Sequence, residues 1–298
     1  MKHHYLPEFY LKQWAGEDRK LCQYSKVHGN RIFTRRVFPS ETGFLNRLYS
    51  VDGASEDLEH RVEEDFYSPA DSKAAQSMSL LLSGTQKIDL NISQVSSWSR
   101  FLLSLMLRMP EDVAMLKKRW RNAMLDVSDD AEADYKARRQ PNDPETFREF
   151  IHARPNHVFE QEALELLVNL NDSELTGNLL NSMNWHIIDL AKSKFELFLS
   201  DRPLFVLRPL GDEDGTLCLP VGPHSLFIAS KKSEDINRFL STKPDSNVRD
   251  VNRIVVSQAV KFAYATSDAP LRFMQNNFGK SFDVRAMKGT NNSLLELT

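Results

Sequence analysis

Apolar residues in this chain keep two different periods, and they keep them in separate blocks. Short aromatic and β-branched runs at 21–26, 31–38 and 44–51 are divided by His28-Gly29-Asn30 and by Pro39 to Gly43, and read as three strands of a meander. Ahead of them, Leu6, Tyr10 and Trp14 fall four apart on one face of a short helix that Pro7 opens. From Glu56 to about Ser83 the spacing turns helical, with Pro69 expected to interrupt it. The clearest helix follows: Val95, Trp98, Phe101, Leu102, Leu105, Met106 and Met109 recur at three and four. Pro110 breaks or kinks it, and a second piece continues through Val113, Leu116, Trp120 and Met124. Another helix covers 156–180, with an interruption expected at Asn171-Asp172-Ser173. Strand texture returns at 185–190, 195–199, 204–208, 216–219 and 225–229, before helices over 234–240 and 248–265. Strands segregated from helices in this way specify an α+β fold rather than a doubly wound parallel sheet.

A chain of 298 residues has room for one large domain or two. We expect a single compact domain in which the strand-rich parts, 1–55 and 184–298, pack together and 56–183 is a helical insertion. Residues 126–144, crowded with charge and ending in Pro-Asn-Asp-Pro, read as an exposed connection. The formal charge of -3 lacks the basic excess of a bulk nucleic-acid binder, although a local basic groove stays open. Cys22 and Cys218 are too few and too far apart for a zinc site or a disulfide framework, and read as buried reduced thiols. Neither a signal-type leader nor an apolar run near the roughly 20 residues needed to span a bilayer is present, so the expectation is a soluble, cytoplasmic protein without a membrane partner.

Several familiar chemistries are excluded. The chain holds no G-x-G-x-x-G, no phosphate loop of Walker type, no G-x-S-x-G and no H-E-x-x-H. Asp212-Glu213-Asp214-Gly215 begins like a calcium loop, but Pro223 stands where the bidentate glutamate belongs, leaving a hairpin turn. In Lys117-Lys118-Arg119-Trp120-Arg121 the tryptophan continues an apolar stripe while the cations lie off it, the pattern of a solvated face.

A few polar positions resist a packing account. Asn252 interrupts the stripe Val248, Asn252, Val255, Ala259, Phe262, and an amide there needs partners or costs about 1–3 kcal/mol. It either ties the helix to a neighbouring strand or lines a polar pocket. Asp201 follows the alternating Phe195–Ser200 run, where a carboxylate serves catalysis or closes a turn on its own backbone. His3 and His4 diverge as neighbours, so only one can act as a ligand or general base. Glu59 and Glu63 share a helical face, and Arg108 stands beside the break at Pro110, where freed carbonyls can receive it. Ser200 has no visible base, which argues against a serine nucleophile.

His4-Tyr5-Leu6-Pro7-Glu8-Phe9-Tyr10-Leu11-Lys12-Gln13-Trp14 resembles the opening of the bacterial domain of unknown function 4238 family. Arg108-Met109-Pro110 is similar to that family's Arg-Thr-Pro, and Ser200-Asp201-Arg202-Pro203 to its Ser-Asp-Asn-Pro. Leu219-Pro220-Val221-Gly222-Pro223 resembles the following strand, and Asn252 with Ala259 and Tyr264 a terminal helix. Met109 and Arg202 depart from the pattern and mark a modified or lost site. The resemblance implies that His4, Arg108, Asp201 and Asn252 belong to one arrangement. It names no reaction. If the four converge, His4, Asp201 and Glu63 are the ligands expected for a divalent cation, magnesium or manganese, with Arg108 neutralising phosphate. The corresponding expectation is a hydrolase acting on nucleic acid or a nucleotide, such as a nuclease of phage defence. The alternative is a non-catalytic subunit that binds a protein partner and uses the same residues structurally.

Overall fold

A computed structural model describes residues 2–27, 31–51, 53, 61–83 and 90–280. Antiparallel strands near both ends flank a helical middle, an α+β arrangement. The chain opens on a strand, β1 (Lys2–His4), which the apolar pattern alone does not show. Gly43 accounts for it. Its carbonyl accepts the amides of Tyr5 and Leu6 at 2.9 and 3.0 Å, seating β1 antiparallel to β4 (Phe44–Asn46). Gly43 has φ +67°, and a Cβ there would stand 3.0 Å from that of Leu6, so only glycine fits without strain. The third run of the expected meander therefore leaves its neighbours. β2 (Leu21–Val27) and β3 (Arg31–Val37) pair with each other, and β4 pairs with β1. Between β1 and β2, Pro7 caps α1 (Glu8–Leu11), which tightens into a 3-10 turn over Lys12–Trp14.

The middle begins with a wide π turn, Arg61–Tyr67, that runs into α2 (Ser68–Leu81). Pro69 lies two residues past the point where the winding changes from π to α, so the interruption expected there takes the form of a change of winding inside a continuous helical run. Then come α3 (Ile92–Leu107), α4 (Pro110–Leu125), α5 (Asp129–Arg138), α6 (Phe147–His152), α7 (Asn156–Asn171) and α8 (Glu174–Asn181). Pro110 opens α4 and Arg108 closes α3, so the break falls at the expected residue. Ser173 likewise divides α7 from α8 by capping the Thr176 amide. The charged stretch 126–144 carries α5, a helix with no buried residue.

The last third holds β5 (Asn184–Asp189), β6 (Leu199–Ser200), β7 (Phe205–Arg208), β8 (Thr216–Gly222) and β9 (Ser225–Ser230). After them come α9 (Ser233–Ser241), α10 (Pro244–Ser257), β10 (Phe262–Ala265) and α11 (Leu271–Asn277). One four-stranded sheet runs β5-β9-β8-β7. The other, β3-β2-β10-β6, joins strands from the two ends of the chain. Two expectations fail here. The helix expected over 248–265 stops at Ser257, and the strand expected over 195–199 shrinks to two residues. Side-chain oxygens compete for the backbone amides at both places, as the site geometry below explains.

The main core gathers around α3 and α1. Tyr10 and Trp98 pack on Phe101, with Tyr10 edge-on, and Trp98 meets Phe227 of β9 edge to face at 5.5 Å. Two buried donors tie α1 and its extension to the C-terminal third: Tyr10 Oη donates to Pro220 O at 2.5 Å and Trp14 Nε1 to Leu197 O at 2.7 Å. Cys22 and Cys218 are free and buried. Among the described residues no helix is long and apolar enough to cross a membrane. Tyr10→Phe strands the Pro220 carbonyl in a dry core. It is expected to lower the unfolding free energy by about 1–2 kcal/mol, read by urea denaturation with an unchanged m value.

Candidate functional site

The polar residues singled out by sequence fall into two sets by their hydrogen-bond partners. Asp201 and Asn252 belong to the C-terminal layers. Both oxygens of Asp201 are occupied: Oδ1 accepts the Val260 amide at 2.9 Å, and Oδ2 those of Lys261 and Phe262 at 2.5 and 2.8 Å. The Asp201 amide donates back to Phe262 O at 2.9 Å. These bonds take the amides at 260–262 away from helical partners, so α10 ends and β10 begins. Asn252 is equally committed. Its Oδ1 accepts the Phe198 amide at 2.7 Å and its Nδ2 donates to Glu196 O at 2.8 Å, which removes 196–198 from a sheet ladder. The amide in the apolar stripe is thus a tie between helix and loop.

Arg108, His4 and Glu63 make a different set of contacts, in a cluster where helix break, N-terminal strand and π turn meet. Arg108 is completely buried, and its two terminal nitrogens fork onto Asp71 of α2, each at 3.1 Å. Its partner is therefore a carboxylate rather than carbonyls freed at the break. The guanidinium also lies 5.3 Å over the Tyr67 ring; Tyr67 stacks on Tyr49 at 5.3 Å, and Tyr49 on His3 at 5.2 Å. His3 Nδ1 accepts the Tyr49 amide, fixing the top of this stack. His4 projects beside it, with Nε2 3.8 Å from Glu8 and its ring tilted on Phe44. His4 and Asp71 keep 18% and 21% of their side-chain surface exposed, so the cluster reaches solvent on that side.

Electrostatics separate the titratable members. Burial pushes the Glu63 carboxyl up to about 7, against the pull of Arg108 and helped by the charge of Asp71. Burial lowers His4, opposed by Glu8. At neutral pH the cluster therefore holds a largely neutral imidazole and a carboxyl that still carries its proton for much of the time. Glu63 Oε2, His4 Nε2 and Arg108 Nε are buried without a hydrogen-bond partner among the described residues. Such atoms are rare in folded proteins and call for an explanation.

The expected trio of His4, Glu63 and Asp201 is not assembled as a ligand set. No three His, Cys, Asp or Glu side chains among the described residues form a metal-binding group, and the Asp201 oxygens are spent on amides. Glu59 lies outside the described residues. Sequence reading missed Asp71, Tyr49 and Tyr67, which carry no periodic signal and join the cluster only through the tertiary fold. It also missed Asp112 and Gln258. Arg202, the departure from the family's Asn, reaches Asp112 at 2.7 Å with both side chains buried, and Gln258 donates to the Arg202 carbonyl. Met109, the other departure, fills the main core. Ser200 Oγ accepts the Arg202 amide and closes a turn. Lys117 binds Ser50 O and Glu160, which leaves less free charge on that helix than its sequence offers.

Two measurements follow from this geometry. Asp201→Asn places an amide NH2 against donors, and is expected to cost about 2–3 kcal/mol of stability in urea unfolding. Glu63 and Asp201, the latter held up to about 6 by burial, bind protons more tightly folded than unfolded. Their contribution is complete below the ordinary carboxylate range and is lost as pH rises through 6 and 7. Melting temperature is therefore expected to fall between about pH 4 and pH 7, and Glu63→Gln to flatten the upper part of that decline.

No curated protein and no solved structure matches this chain. A family model described as protein of unknown function (DUF4238) matches residues 2–269, which takes in β1, the helix break, the Asp201 clamp and β10. The chain belongs to that family.

Proposed function

We propose that this chain is a hydrolase of nucleic acid or a nucleotide, with Glu63 as general acid and His4 as general base. One observation carries the reading. Two titratable groups flanking the Arg108–Asp71 pair are displaced in opposite directions, Glu63 up to about 7 and His4 downward. A carboxyl protonated and an imidazole unprotonated at the same pH are the two states that proton transfer to a leaving group and from a water require. A neutral Glu63 also presents no repulsion to a phosphodiester, while Arg108 is held by Asp71 and serves to position the cluster. The reading places such an enzyme in the bacterial cytoplasm, as a nuclease of phage defence.

The test is hydrolysis of oligonucleotides, nucleotides and an activated phosphodiester, with and without magnesium or manganese. Glu63→Gln and His4→Asn are each expected to lower kcat by about 100-fold or more while the protein stays folded. Activity should peak between the lowered His4 value and about 7 and fall above it as Glu63 ionises. Wild-type rates in both variants would remove the proposal.

A second reading has its own observation. Asp201 and Asn252 are fully engaged with backbone, as a scaffold would have them. In that reading the chain is a non-catalytic subunit for a protein partner, and substitutions at 201, 252 and 108 lower stability and nothing else.

A further inference from the structure

The sheet β3-β2-β10-β6 has two unlike faces. On one, Tyr24 and Ala263 lie side by side and pack in a common core with Met274 and Phe278 at α11. On the other, register places Phe33, Ser25 and Phe262 in one row across three strands, with Arg35 and Arg31 in the rows on either side. Tyr264 and Leu199 close that second face into the main core, but toward Val27 and Arg31 it is open. Phe33 is 59% exposed and Val27 48%, and Arg31, Arg35 and Lys261 are exposed with them. Neither arginine forms an ion pair among the described residues, and Lys261 Nζ lies 5.3 Å over the Phe262 ring. No Asp or Glu occupies this face of β2, β3 or β10. The chain as a whole carries a charge of -3, so a patch of three cations around a bare aromatic ring is a local departure.

We propose that this open face binds single-stranded nucleic acid, with a base stacked on Phe33 and phosphates held by Arg31, Arg35 and Lys261. The two-residue period of a strand sets cation, ring and cation on one side of β3, and that alternation suits a polymer that itself alternates phosphate with base. Every base has a π face, so the stack needs no particular sequence. A duplex cannot use it, because its bases are already stacked on one another. A second copy of the chain is also a poor occupant. β3 is an edge strand, yet two such faces brought together would oppose arginine to arginine. Binding here requires no cleavage and shares no residue with the cluster assigned to hydrolysis, so the two readings fail separately.

The experiment is fluorescence anisotropy of labelled oligothymidylate, oligouridylate and a duplex of equal length with the full chain, in EDTA so that metal-dependent cleavage is suppressed. Saturable binding of a single strand is expected, the tighter arm separating DNA from RNA, with the duplex weaker than both. Three phosphate contacts predict that raising salt from about 50 to about 200 mM weakens single-strand binding roughly 20-fold. Phe33→Ala is expected to weaken it about fivefold or more at an unchanged melting temperature, and Phe33→Tyr to restore it. Arg31→Gln with Arg35→Gln is expected to lower both affinity and salt dependence, and decides if Phe33→Ala does not fold. Lys118→Gln, in the basic run of α4, and Glu63→Gln are expected to bind as the wild type. Absence of saturable binding at about 100 μM chain overturns the proposal. So does equal affinity for the duplex, or wild-type affinity in Phe33→Ala.

Discussion

The Asp201 carboxylate is the interaction on which the C-terminal layers turn. By accepting three successive amides it ends one helix and releases the following residues to become β10. That strand lies between β2 and β6, so the same carboxylate decides whether N-terminal and C-terminal segments share a sheet. Few single side chains can impose this. Each amide bound to the carboxylate is one the helix can no longer use, and a buried carboxylate tolerates its position only with several donors around it. Asn252 does the complementary work one layer away, holding 196–198 against α10 so that Asp201 arrives at the end of β6.

Arg108 plays the comparable part for the helical middle, by a different route. A buried guanidinium must be paired, and here Asp71 from the neighbouring helix supplies a fork of two bonds while Tyr67 covers a face of the planar group. The stack that continues through Tyr49 to His3 carries this order to the N-terminal strand. Gly43 completes the connection, since its carbonyl fixes the two residues that follow His4. The cluster therefore draws on β1, the continuous π turn and α2, and the end of α3, three segments far apart in sequence.

Two polar sets that look alike in sequence thus differ in kind. Asp201 and Asn252 have every oxygen engaged with backbone and behave as fasteners. Glu63 and His4 retain unmet capacity, sit where burial displaces their titration, and lie on a cluster that touches solvent. Hydrogen-bond saturation, rather than residue type, separates the fastened set from the one with unmet capacity.

The sequence by itself determined the order of helical and strand blocks, the break at Pro110, the split between α7 and α8 and the singular character of Asn252, because periodicity and proline chemistry act over a few residues. It also carried the motifs that place the chain in its family. Only the tertiary structure decided that β4 pairs with β1, that 262–265 is a strand, that Arg108 pairs with Asp71, and that the Asp201 oxygens go to backbone amides. Those outcomes rest on competition for backbone amides and on pairing of a buried charge across 37 residues, from Arg108 to Asp71. Neither leaves a periodic trace in the chain, since both are settled by which groups meet once water has been excluded.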